Sequence, residues 1–331
     1  MTGPRLHSRY PSVAPRLPFL PLGTGPSPVR RIEPHELWIK DDSRYGDRYG
    51  GNKVRKLEWS LADLLRRRCG VVVTGGGTGS HHAVAVARYA ADTGIQAHVV
   101  AVEQPYDAHV GEQLAAVRAA GATMHRVDTV AGAYATAGRL LVGAALRGRR
   151  PGLLPVGGSN THGCLGFVEA ALELAEQVSA GELPPPRRVV VAVGSGGTAA
   201  GLILGLALAG LDSEVVGILV NDRTRVGPAQ VRRLAGATAR LLRRHGAPVP
   251  DPVPLAPFDL RREWLGPGYG KPSGASVEAA GWLREHAGLV ADPVYTAKAA
   301  AAIRDLREER DASGPTLYWH TAPGAIAGGN R

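Results

Sequence analysis

Short β-branched runs alternate with helix-length stretches rich in Ala and Leu along most of the chain, and this alternation restricts its fold more than any other feature. The runs read GVVVTGG at 70–76, QAHVVAVE at 96–103, GLLPVGG at 152–158, RRVVVAVGS at 187–195, EVVGILVN at 214–221 and TLYWHT at 316–321. Between them lie stretches such as HHAVAVARYAADTG and GEQLAAVRAAGA, with helical periodicity. Nearly continuous apolar strands joined through helices form parallel sheets covered on both faces, so the fold class is α/β. Glycine-rich strand-to-helix turns occur at two distant points, near 75–80 and 194–198. Ligands in such sheets bind beyond the carboxyl ends of the strands, so two such turns facing each other predict a cleft between two doubly wound domains. The Pro-, Arg- and Ser-rich first 30 residues read as an extended arm over the surface of a domain or its partner, and GELPPPRR at 181–188 as a surface connection between sheets.

Each glycine turn is a candidate anion site. In VVVAVGSGGTAAGL the strand runs into Gly194, Ser195, Gly196, Gly197 and Thr198 before a helix of small residues. Glycines let the backbone approach a ligand, and successive amides with a helix N-terminus favour a phosphate-sized anion. A tight turn shaped for geometry alone is the equal alternative, and no lysine follows as a P-loop requires. The loop also fits G-x-G-x-x-A through Gly194, Gly196 and Ala199, with Asp222 after the next strand as a ribose ligand, so a nicotinamide oxidoreductase stands as a competing reading. The second turn carries Gly75, Gly76, Gly77, Thr78, Gly79 and Ser80. Two nests suggest a ligand with two separated anionic groups, such as a phosphate and a carboxylate. His81 and His82 are adjacent and diverge on a helix, which argues against one metal held by that pair.

Composition sharpens the choice of chemistry. Lys plus Arg number 39, yet lysine occurs only at 40, 53, 56, 271 and 298, leaving 39 − 5 = 34 arginines. The net charge of +10 is scattered and aromatics make up only 5%, which argues against nucleic acid. No apolar run reaches the roughly 18–20 residues of a membrane span, and the N-terminus has no signal-like apolar core, so the expectation is a cytoplasmic protein. Cys69 and Cys164 form neither a disulfide framework nor a zinc motif. Against this background the pair Lys53 and Lys56 beside Gly51 and Asn52 stands out. A solvated helix-start charge is the ordinary explanation of a lone lysine. Arginine could serve that purpose but cannot form an imine, whereas a desolvated lysine can, and a phosphate loop elsewhere supplies the other half of a pyridoxal phosphate site.

Six ordered motifs, GGNKVRKLE, TGGGTGSHH, GGSNTHGCLGFVEAALE, VGSGGTAAGL, GYGKP and DPVYTAKA, resemble those of the D-cysteine desulfhydrase and 1-aminocyclopropane-1-carboxylate deaminase family. The resemblance runs from about residue 36 to 321. It implies a pyridoxal phosphate enzyme with the tryptophan synthase β-subunit fold. The larger cofactor-binding domain would comprise 1–50 plus 165–331, the smaller one 51–164, and the protein would be a homodimer. Lys53 matches the lysine that binds the cofactor, with Asn52 beside it and Lys56 as a second lysine close by. Gly194, Ser195, Gly196, Gly197 and Thr198 match the phosphate loop. Ser80 matches the serine facing the substrate carboxylate, and Tyr269 and Tyr295 match two active-site tyrosines. Thr296 falls where the family places the partner of the pyridine nitrogen. The deaminases carry glutamate there; a threonine hydroxyl makes the ring a weaker electron sink and suits β-elimination from D-cysteine or a β-substituted alanine.

The chain also departs from the family pattern. His81 replaces the asparagine that contacts the pyridoxal ring oxygen, and the family's HTGG reads His320, Thr321, Ala322 and Pro323. These changes keep open aminocyclopropane ring opening, or replacement chemistry in a specialised pathway. A non-catalytic amino-acid sensor is the remaining alternative, and the presence of Lys53, Ser80, Tyr269 and Tyr295 together argues against it.

Overall fold

The computed structural model describes residues 3–33, 37–104, 106, 108–223, 225–308 and 314–323. The strands are β1 Val29–Ile32, β2 Leu37–Asp41, β3 Val71–Gly77, β4 Gln96–Val102, β5 Thr123–Val127, β6 Pro151–Leu154, β7 Arg188–Val193, β8 Glu214–Leu219, β9 Phe258–Arg261 and β10 Thr316–His320. The helices are α1 Arg5–Arg9, α2 Asn52–Arg66, α3 His81–Ala91, α4 Ala108–Ala119, α5 Val130–Leu146, α6 Thr161–Ser179, α7 Gly197–Ala209, α8 Pro228–Arg244, α9 Gly274–Ala287 and α10 Thr296–Glu308.

Two sheets result, one ordered β1-β2-β10-β7-β8-β9 and the other β5-β4-β3-β6. All pairings are parallel except β1 with β2. All six apolar runs form strands. The strands that the runs did not announce include β1, β5 and β9, which lie at sheet edges. An edge strand buries less of itself, so TMHRV and FDLR carry no continuous apolar signal.

The N-terminal segment corrects the expectation of a purely superficial arm. Leu6, Val13 and Leu17 are buried in the core of the larger sheet with Phe167 and Leu174. The Glu169 carboxylate on α6 accepts from the backbone N–H groups of Arg5 at 2.7 Å and Leu6 at 2.8 Å, satisfying two free donors at the start of α1.

A buried ionic cluster ties α2 to α6 and β2. Arg55 contacts Asp42 at 2.9 Å and Glu173 at 2.8 Å, and Lys40 reaches Glu173 at 2.6 Å. Burial opposes ionisation of Glu173, but the Arg55 and Lys40 charges prevail and hold its carboxyl down at about 2. The helices touch closely at Gly166, where an added Cβ would lie 2.0 Å from the Arg55 carbonyl oxygen. Lys53 and Lys56, three apart on α2, both border the cleft.

Candidate active site

The turns after β3 and β7 line one cavity. The residues matched to the site by the motif resemblance all border it: Asn52, Lys53, Lys56, Ser80, His81, Gly194, Ser195, Gly196, Gly197, Thr198, Tyr269, Tyr295 and Thr296; of the second glycine turn only Gly76 and Ser80 do, and Asp222 does not. Residues separated by more than two hundred positions thus meet in one space because both turns lie at the carboxyl ends of their strands.

The lysines are not solvated helix-start charges. Lys56 is buried and donates to the Gly157 carbonyl at 2.9 Å. Burial lowers its amine to about 8, against a small opposing influence of Cys164. Lys53, partly buried in the cavity wall, is pushed well below the ordinary lysine value by burial and by the Lys56 charge. Among the described residues no group hydrogen-bonds its amine. A neutral amine aimed into a cavity is the form that adds to an aldehyde. Lys40 and Lys298 are also buried, so only Lys271 of the five lysines is exposed.

The loop opposite is shaped for an anion. Gly196 has φ +85°, a conformation open to glycine, and an added Cβ at Gly197 would lie 2.5 Å from Ser159 Oγ. The Gly197 N–H at the start of α7 donates to Ser159 Oγ at 3.0 Å, and Ser159 Oγ lies 2.7 Å from Ser195 Oγ. Asn52 Nδ2 donates to Thr198 Oγ1 at 3.1 Å, tying the first residue of α2 to this loop. Hydroxyls, backbone amides and a helix N-terminus beside buried amines fit a phosphate-bearing aldehyde. Ser159 lay within the GGSN motif, but its part in the loop appears only when α6 docks on α7.

Ser80 accepts from Ala83 N at 3.4 Å and caps α3. Tyr295 donates to Tyr269 Oη at 3.0 Å, and burial pushes both phenols up, Tyr295 well above its ordinary value with Tyr269 contributing. Asp222 accepts from the Tyr269 backbone N–H at 3.0 Å, so it anchors this loop and does not serve as the ribose ligand of a dinucleotide site. Lys298 supports the same loop, donating to the Leu265 carbonyl at 2.7 Å and the Gly268 carbonyl at 3.0 Å. Thr296 Oγ1 accepts from Asp292 N at 3.1 Å, and its own proton finds only the Asp292 carbonyl at 3.5 Å, so it remains available to a better acceptor.

Tyr49 and Asp292 border the cavity too and were not singled out from sequence. His81 joins them, with Nδ1 at 2.6 Å from Tyr49 Oη and Nε2 at 3.0 Å from Asp292 Oδ2. Burial alone would raise the Asp292 carboxyl, but the His81 hydrogen bond and charge hold it below its ordinary value. His82 points into the buried side, where burial above all pushes its imidazole well down, so it stays neutral.

Comparison with known proteins agrees with this geometry. The family described as "Pyridoxal-phosphate dependent enzyme" matches residues 20–321. A D-cysteine desulfhydrase of Salmonella paratyphi B is 34% identical over 328 residues, covering 94% of this chain and 96% of that protein. The Salmonella typhimurium D-cysteine desulfhydrase is 33% identical over 326 residues, covering 95% and 96%. Among solved structures, an ACC deaminase homologue superposes with a TM-score of 0.81 at 26% identity, covering 97% of this chain and 95% of its own. A fungal L-serine ammonia-lyase from Rhizomucor miehei, at TM-score 0.63 and 16% identity over 91% and 94% of the two chains, shares the fold. No described helix is long and apolar enough to cross a membrane.

Proposed function

The chain belongs to the pyridoxal-phosphate-dependent enzyme family and is a lyase of that family, and from this premise we propose that it converts D-cysteine or a related β-substituted alanine, with water, to pyruvate and ammonia, releasing sulfide or the corresponding leaving group. The observation that carries the reading is Lys53, a desolvated amine with no hydrogen-bond partner among the described residues, facing the Gly194–Thr198 loop across one cavity. The relatives' activity supplies the substrate class.

Bound pyridoxal phosphate supplies an aldehyde for the amino group and an electron-poor ring that acidifies the α-carbon. The protein's own groups do the rest. The Gly194–Thr198 loop and Asn52 bind the phosphate end, and Lys56 steadies it. Ser80, at the N-terminus of α3, binds the substrate carboxylate, where hydroxyl and helix dipole both favour an anion. Lys53 takes the α-proton. Tyr269 and Tyr295, kept protonated by burial, give the departing sulfur a proton. Thr296 would offer its hydroxyl proton to the ring nitrogen of a bound cofactor without charging it, and His81 would stand near the ring oxygen. A threonine partner favours elimination, where the leaving group carries off charge, over cyclopropane opening, which needs a stronger sink.

We also place residues 51–164 in the smaller unit and 1–50 plus 165–331 in the larger, of which 1–2, 34–36, 105, 107, 224, 309–313 and 324–331 lie outside the described residues. Separate hydrophobic cores support a two-unit division, one holding Val54, Leu57 and Val72 and the other Phe167, Val191 and Leu204, although Tyr45 and Tyr49 pack in the first and Trp59 in the second. A cytoplasmic homodimer completes the proposal; Tyr134 and Leu146, 77% and 83% exposed on α5, are the kind of apolar surface a second copy covers. Sedimentation at the mass of a single chain would remove the dimer.

The test is direct. Purified protein reconstituted with pyridoxal phosphate absorbs in the visible, and borohydride reduction followed by peptide mass analysis fixes the cofactor on Lys53. Amino acids of both hands, including aminocyclopropane carboxylate, are then screened with mass analysis of the products. A wild-type protein that binds no pyridoxal phosphate sinks the site assignment. Turnover of aminocyclopropane carboxylate alone, giving 2-oxobutyrate, refutes the role given to Thr296.

A further inference from the structure

His81 has a third polar neighbour besides Tyr49 and Asp292. The rings of His81 and His109 lie 5.0 Å apart between centroids, and one ligand atom each from His81, His109 and Asp292 all fall within 4.8 Å of one another. All three side chains are partly exposed, so the cluster can be reached from solvent. The adjacency of His81 and His82 speaks only against chelation by that pair. His109 begins the second turn's neighbouring helix, and Asp292 lies 211 residues from His81 in sequence.

The surrounding contacts orient each group. Val294 N donates to Asp292 Oδ1 at 2.7 Å, fixing the carboxylate and leaving Oδ2 toward His81. The Gly79 carbonyl lies 3.3 Å from His109 Nε2, which occupies one nitrogen of that ring. Tyr49 Oη donates to Gln113 Oε1 at 3.2 Å and lies 2.6 Å from His81 Nδ1. A hydroxyl has one proton. Given to Gln113, that proton leaves Tyr49 to accept from His81 Nδ1–H, and the lone pair on His81 Nε2 then faces the Asp292 carboxylate at 3.0 Å. A proton on Nε2 or a metal ion shared by nitrogen and oxygen resolves that encounter, as does the other tautomer, in which Tyr49 donates to His81 Nδ1 and His81 Nε2–H donates to Asp292.

We propose that His81, His109 and Asp292 form a site for a divalent transition cation of the zinc class at the cavity wall, and that its occupation restrains turnover. Two imidazoles and one carboxylate are ligands that suit zinc, nickel or cobalt better than magnesium or calcium. Three atoms no more than 4.8 Å apart leave a point within about 2.8 Å of all of them, so inward shifts of at most about 0.7 Å reach the ~2.0–2.1 Å of zinc coordination. Tyr49 and the Gly79 carbonyl are the outer partners that orient ligating histidines. A metal there draws His81 away from the cofactor ring and strains the Asp292 turn that holds Thr296 and Tyr295. This restraint rests on the lyase reading, whereas metal binding itself does not.

Isothermal titration of the holoenzyme with zinc in non-chelating, metal-free buffer tests the binding. The expected result is one zinc per chain, weakened more than about tenfold in His109→Ala, since loss even of an outer partner weakens a site about 10–100-fold. Cobalt bound to the wild type should give visible d–d bands that Asp292→Asn lacks. Turnover is followed as pyruvate from β-chloro-D-alanine, because D-cysteine itself binds zinc. Zinc should inhibit the wild type and EDTA restore it, while His109→Ala turns over normally in EDTA and resists zinc. No stoichiometric zinc or cobalt binding by the wild type leaves the His81–Asp292 hydrogen bond alone and overturns the proposal. So does binding that is unchanged in both variants. If β-chloro-D-alanine gives no pyruvate, the lyase reading fails while titration and cobalt spectra still decide the metal.

Discussion

Replacing Glu58 by Gln should stabilise the protein increasingly as pH rises from 6 to 8. Glu58 lies two residues beyond Lys56 on α2, is 1% exposed, and accepts from Gly23 N at 3.0 Å and Tyr45 Oη at 3.0 Å. Burial pushes its carboxyl up to about 8 from an ordinary value of 4.5, despite the opposing Arg55 charge and the two hydrogen bonds. Between these values the folded chain holds a proton that the unfolded chain has released. Stability therefore falls as pH rises through that window, and an amide at the same place does not titrate. With about 1.4 kcal/mol per pKa unit, the charged form disfavours folding by about 2 kcal/mol at pH 6 and about 4 kcal/mol at pH 8. The gap between variant and wild type should thus widen by about 2 kcal/mol over those two pH units, whatever constant offset the amide brings. Urea unfolding of both proteins at pH 6, 7 and 8, at one ionic strength and with matched cofactor content, reads this double difference. Parallel stability profiles would refute the argument and place the Glu58 titration at an ordinary carboxyl value.

Two substitutions probe how the site is held. Gly166→Ala puts a Cβ 2.0 Å from the Arg55 carbonyl oxygen, so α2 and α6 must part by more than an ångström to restore ordinary contact. The expected result is a loss of at least about 1–3 kcal/mol and lower cofactor retention, because Lys53 and Lys56 ride on α2; unchanged melting and cofactor content would count against the crossing. Lys298→Met removes the donors to the Leu265 and Gly268 carbonyls and loosens the loop carrying Tyr269. Its kcat/KM should fall about 10–100-fold with the visible absorbance retained, since misplacement by an ångström has that order of effect. Full activity would remove Lys298 from the positioning of Tyr269.

Lys53 could be singled out before any fold was known because its chemistry is not interchangeable. A chain that uses arginine wherever a generic charge suffices keeps lysine where an amine must become an imine. The structure extends that logic to the other lysines. Lys40, Lys56 and Lys298 each place a compact ammonium in a buried space against carbonyls, an amide or a carboxylate, where the planar, wider guanidinium is a poor substitute.

The α/β class, the parallel core strands and the glycine turns follow from local signals, because periodicity and turn chemistry act over a few residues, whereas Ser80, Tyr269, Tyr295 and Thr296 are picked out only by the motif resemblance. What brings those residues together is not local. The insertion of β10 between β2 and β7 depends on pairings across most of the chain, and it sets Thr321 and Ala322 beside Asn52. The burial of Leu6 and Leu17 depends on α6, whose Glu169 offers acceptors that no arm-like composition foretells. Asp222 looked like a ribose ligand by spacing and became a loop anchor because Tyr269 N–H arrives from 47 residues away. The meeting of His81 with Asp292 and His109 belongs to the same class. Short-range pattern fixes which residues can do chemistry, and only packing, which lowers the dielectric around them and decides which lone pair faces which proton, fixes what each of them does.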